Sequence, residues 1–198
     1  MKKNVILLKS MFVVLAMFLI TGLTSCKNEN KPEDTKEVAE DQNEAKFDEN
    51  DAKEDDSEFL VAAAESDMME IELGKLAQSK GMSADVKNFG KMMVDEHTKS
   101  ANETKPFADR LQVSLPAGLT DKGKEQYNEL NEKTGKDFDE KFADLMVKNH
   151  EKAVDKMEKA STDANDPEIR SWAAGKVPVL RGHLEHAKTL QDKIKNAK

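Results

Sequence analysis

Apolar residues recur at steps of three and four along most of the chain beyond Ser57, and this spacing constrains the fold more than any other feature. One line reads Val86, Phe89, Met93, His97, Ala101, Thr104, Phe107 or Ala108, Leu111. A second reads Phe138, Phe142, Met146, His150, Val154, Met157, and a third Ile169, Trp172, Lys176, Leu180, His183, Ala187, Leu190, Ile194. Period-two alternation is absent, so the expectation is an all-α domain, an antiparallel four-helix bundle spanning 57–198. The first helix is expected over about 57–80, ending at Gly81, with Ser83 capping the second. Pro116 and Gly118 mark a loop, and Gly135 separates an extra short helix, starting near Asp121, from the third long one. Pro167 suits the first position of the fourth, and Pro178 is expected to kink it. The short links at 81–83 and 162–166 imply antiparallel neighbours, read here as an up-down arrangement with both links at one end.

The N-terminus reads as an address. MKKNVILLKSMFVVLAMFLITGLTSC opens with lysines, and its uncharged run Met11–Leu23 covers ~20 Å at ~1.5 Å per residue, short of a ~30 Å hydrocarbon core. A secretory segment over 1–25 fits better than a membrane span. It ends in Leu23-Thr24-Ser25-Cys26, which resembles the bacterial lipobox and uses the only cysteine in the chain. That resemblance implies cleavage before Cys26 and acylation of it, and several acyl chains anchor a protein stably where one does not. Residue 27 is Lys and not Asp, so the usual inner-membrane retention signal is missing and the outer membrane, facing the periplasm, is the expected address.

Charge is unevenly placed. Residues 27–58 carry five Lys against fourteen Asp plus Glu, while the whole chain has a net charge of −8. The remainder of the domain is therefore nearly neutral, which argues against a nucleic-acid partner. Residues 26–56, with Phe47 as their one aromatic, are expected to form a disordered acidic tether. The first helix is poor in large apolar residues beyond Phe59, Leu60, Leu73 and Leu76, leaving room for an envelope protein partner.

Three of the four histidines fall on the apolar lines of three different helices. Measured from the links, His97 and His150 lie about 21 and 20 Å along their helices and His183 about 26 Å. Glu72 and Glu65 on the first helix lie about 14 and 24 Å along it. Imidazole nitrogens and a carboxylate at one level suit zinc, iron or copper, so His97, His150 and His183 with Glu72 or Glu65 form a candidate metal set. The competing reading is a polar core network in which each ring bonds a carboxylate, and it carries the alternative function of a non-catalytic interaction module. His186, one turn beyond His183, is expected at the surface or behind the ligating rings. The Glu-x-x-His pairs of a di-iron site are missing, as are a Ser–His–Asp set, a phosphate-cradling Gly loop and a Cys pair, so an enzyme is the reading with the least support.

The stretches FLVAAAESDMMEIELGKLA, VKNFGKMMVDEHTKSA, VSLP, FDEKFADLMVKNHEKAVDKMEK and WAAGKVPVLRGHLEHAKTL resemble, in order, the family called domain of unknown function 4142. Glu72, His97, His150 and His183 occupy positions typical of it. The resemblance, over about 59–190, implies a ferritin-like helical bundle and an envelope location, and implies no activity.

If Cys26 is the acylated residue, Cys26→Ser abolishes labelling by radioactive palmitate and moves the protein out of the membrane fraction. Equal label in both forms would eliminate the lipid anchor.

Overall fold

The computed structural model describes residues 32–196, and in that range the chain is all-α, with six helices and no strand. They are α1 Thr35–Phe47, α2 Asp51–Lys80, α3 Ala84–Leu111, α4 Asp121–Asn131, α5 Gly135–Asp163 and α6 Pro167–Asn196. None is long and apolar enough to cross a membrane. The expected signal segment 1–25 and Cys26 lie outside the described residues. The helix starts follow local chemistry. Ser83, Asn50 and Thr120 each accept a bond from a backbone N–H of the first turn, satisfying a donor the helix itself cannot. Asp166 does the same for α6 through Glu168 and Ile169. Gly135 starts α5 at φ 58°, a left-handed conformation that costs glycine little. The α6 helix continues through Pro178 without interruption.

The tether expectation fails from Glu33 onward. Residues 35–47 are helical, and α2 begins at Asp51 and not near 57. Three anchors hold α1. Phe47 and Ala39 are buried. Asn43 donates to the Ser114 carbonyl and accepts from the Ser114 N–H. Asp34 caps α1 through Lys36 N–H and with its other oxygen accepts from the N–H of Asp121 at the start of α4. Few apolar residues suffice here because buried polar ones find backbone partners, which a composition argument does not register.

Four long helices pair as two hairpins, α2 with α3 and α5 with α6. Within the first, Gly74 and Gly90 let the helices approach closely: a Cβ on Gly74 would lie 2.6 Å from the Gly90 carbonyl oxygen. Each hairpin's link is clamped by the other hairpin. Buried Asp56 of α2 accepts from the N–H groups of Asn165 and Asp166 in the α5–α6 link. Buried Asp139 of α5 accepts from those of Met82 and Ser83 in the α2–α3 link. The start of α2 therefore meets the end of α5, and the start of α5 meets the end of α2. The links lie at opposite ends, which corrects the up-down expectation. The segment 112–134 makes this possible by carrying the chain back along α2, from Thr120 beside Glu65 to Asn131 beside Lys80.

The interior has two apolar clusters. One holds Leu73, Phe89, Met93, Phe138, Phe142 and Met146. The other holds Leu60, Met157, Ile169, Ala173 and Leu180. Between the two sets each long helix contributes a buried polar residue: Asp67 from α2, His97 from α3, His150 from α5 and His183 from α6. The sparsely apolar α2 is packed against α1, α3, α4 and α5.

Asp56→Ala and Asp139→Ala should each strand two backbone N–H groups that now meet a charged acceptor, at a cost of about 2–3 kcal/mol in urea unfolding. A loss below ~0.5 kcal/mol, the level of an ordinary surface change, would remove the clamps from this account.

Candidate metal centre

The polar layer sits at the middle of the long helices. His97 lies at the midpoint of α3, His150 at that of α5, and His183 close to that of α6. A midpoint keeps its height whichever way the helix runs, so the rings meet although the expected direction of one hairpin was wrong. Ring centroids are 5.7 Å apart for His97–His150, 6.1 Å for His97–His183 and 5.5 Å for His150–His183. One nitrogen from each lies within 4.8 Å of the others, the one group of this kind among the described residues. His97 and His150 are buried, and His183 is the least covered at 9% exposure.

Hydrogen bonds define the tautomers. His150 donates from Nδ1 to the Met146 carbonyl at 2.8 Å, one turn back on its own helix, which leaves Nε2 with a lone pair. His97 donates from Nδ1 to Asp67 Oδ1 of α2, also at 2.8 Å. Asn149 donates to both Glu70 and Gln126, tying the layer to α4. Five buried atoms in the layer have no partner: Nε2 of His97, Nε2 of His150, Nδ1 of His183, Oδ2 of Asp67 and Oε2 of Glu70. Each such atom costs about 1–3 kcal/mol in a folded protein.

The titration pattern suits ligation. Burial, helped by the charge on His97, pushes His150 down to about 3, and burial with the same charge pushes His183 down to about 4. Both rings are therefore neutral at pH 7, the form that binds a cation. Burial would also lower His97, but the Asp67 hydrogen bond and the Glu70 charge outweigh it and hold its pKa above the ordinary value. Burial raises Glu70 to about 7, against the opposing charge of His97.

The three histidines are brought together as expected, while the expected glutamates are not part of the group. Glu72 is half-exposed and pairs with Lys75 at 2.7 Å. Glu65 is buried, but its carboxylate is taken by Lys122 at 3.1 Å and by the Thr120 hydroxyl. Asp67 and Glu70 provide the acids of the layer instead. Both lie near the middle of α2, but that helix is packed on several sides and has no single apolar stripe to mark its inward-facing acids. His186 is exposed, its ring against Phe89 with centroids 4.8 Å apart.

The donors fit a transition metal. Zn–N bonds of about 2.0–2.1 Å place nitrogens about 3.3 Å apart around a tetrahedral ion, so the rings would close by up to ~1.5 Å. Asp67 stands where a carboxylate commonly orients a ligating histidine from behind. A cavity of about 80 Å³ opens beside the layer, with His97 and His183 in its wall.

Fold and site together define a small all-α domain with a buried histidine cluster at its centre. The chain belongs to the family described as Domain of unknown function (DUF4142), which matches residues 41–190. That match begins inside α1, in keeping with α1 being part of the folded unit that starts at Glu33. No curated protein and no solved structure matches the chain.

Stability of the metal-free protein should fall on acidification. Between about pH 6.5 and 4.5 the unfolded chain takes up protons on His150 and His183, whose folded values lie near 3 and 4. Glu70 has the opposite sign, since its raised value near 7 contributes stability that is lost as pH rises through it. His97, raised, acts in the same sense at the alkaline side. The two rings outweigh Glu70 by one proton in that window, about 1.4 kcal/mol per pH unit. Urea midpoints against pH should show this limb in the parent and not in His150→Leu. Identical slopes would contradict the assignment.

Proposed function

We propose that the protein is a lipid-anchored envelope protein, held by Cys26 at the periplasmic face of the outer membrane, whose domain binds one transition-metal ion through His97, His150 and His183. The domain is read as a ferritin-like four-helix bundle, supported by two hairpins with links at opposite ends and one long crossover between them. The observation that carries the metal reading is the set of three unpaired ring nitrogens within 4.8 Å. Neutral imidazoles favour zinc, copper or iron over calcium or magnesium, which take oxygen ligands. Asp67 holds the His97 ring through Nδ1 and turns Nε2 toward the other two rings, where an ion would displace its proton, and no further protein ligand is needed for an ion that keeps one exchangeable position.

A second reading is a non-catalytic interaction module in which the layer is only a polar core network. The bonds of Asp67 to His97 and of Asn149 to Glu70 and Gln126 favour it. It leaves the five unpaired buried atoms without a purpose.

Metal analysis separates the two. After exposure to zinc, copper or iron and dialysis, the protein should retain about one equivalent of one metal, and the His97→Ala/His150→Ala/His183→Ala variant none. Asp67→Asn should weaken affinity about 10–100-fold while leaving the stoichiometry unchanged. Equal, substoichiometric metal in parent and triple variant would leave the interaction module standing.

A further inference from the structure

The cavity beside the layer lies between the two hairpins, with walls from α2, α3, α5 and α6. It touches His97 and His183 but not His150, so it approaches the ring cluster from one side. Three nitrogens leave a tetrahedral ion one position short, the arrangement of sites that exchange a ligand rather than of closed structural ones. On the scale where one water needs about 10–15 Å³, a cavity of about 80 Å³ holds roughly five waters, or one small ion with its shell.

The charges along it lean one way. Lys122 is balanced by Glu65, Lys176 by Glu103, and Asp67 by His97. Lys152 and Lys156, one turn apart on α5, line the same cavity and form no ion pair among the described residues. Against these two stands Glu96, the one lining acid without a cationic partner. The uncharged wall is mostly apolar, with Phe59, Ala62 and Ala153 on it beside Ser66, Ser100 and Asn149. A dication at the rings, together with the two lysines, makes the space favourable to negative charge.

We propose that this cavity is the entry to the metal position and that it admits a small monoanion, inorganic or a carboxylate, as the exchangeable fourth ligand. The proposal rests on the metal reading and adds to it a ligand class and a route. Lys152 and Lys156 draw the anion in, and the apolar wall limits its size.

Azide binding to the protein loaded with Co(II) tests this, because the visible absorption of Co(II) responds to a change of ligand. The expected result is a saturable shift of the band on adding azide. Ala62→Phe or Ala153→Leu, each placed on the cavity wall, should still take up Co(II) but bind azide about tenfold more weakly. Lys152→Ala/Lys156→Ala, which removes two exposed side chains, should weaken azide binding about fivefold without changing Co(II) affinity. If Co(II) binds and azide leaves the spectrum unmoved, or acts equally on parent and wall variants, the anion route is overturned and the metal reading stands. If the parent takes up no Co(II), both fall together.

Discussion

A layer of ionisable side chains is buried across the middle of four packed helices, and the rest of the structure is arranged around that cost. Each long helix presents apolar residues on both sides of the layer, so the layer is sealed from above and below. Burial drives His150 and His183 to the neutral state, and the one ring that keeps a raised pKa, His97, does so through its bond to Asp67. A network with this many unmatched atoms is less favourable than a plain apolar core of the same volume. Its presence in a domain with a modest core therefore argues for a use beyond folding, and the cation proposed above would pair the three ring nitrogens.

The layer also needs its helices held in register, because sliding one by a turn moves a ring about 5.4 Å. The reciprocal clamps answer that need. Asp56 and Asp139 each grip the other hairpin's link through two backbone N–H groups, and backbone groups cannot swing away as side chains can. Both carboxylates are buried, which strengthens these bonds. Along the faces between the clamps the hairpins meet less closely than the helices within each hairpin do. The cavity lies in that gap.

Much of this was legible in the residues. Three-and-four spacing named the long helices and placed three histidines on their inner lines. They meet even though the links were assigned to one end, because each lies near the middle of its helix. Chain direction was not legible because a 23-residue connection, 112–134, can return the chain or turn it locally, and periodicity does not distinguish these. The acids of α2 were obscured for a different reason. A helix packed on several sides has no single apolar stripe, so Asp67 and Glu70 look like solvent-facing charges in DMMEIE, while Glu72, which shares a line with Leu76, is the half-exposed one.

The same limit explains α1. A composition rule sees fourteen acids among residues 27–58 and expects an extended chain. It does not see that a few of these side chains meet backbone N–H groups elsewhere in the fold. Asp34 caps two helices, Asp56 clamps a link, and Asn43 exchanges two bonds with the backbone of Ser114. An acidic stretch is stable when its carboxylates are spent on orphan donors of other segments, and those donors become visible only once the other segments have been placed. Local pattern therefore carries information about a helix's own face, while the partners of polar groups at its ends are a property of topology.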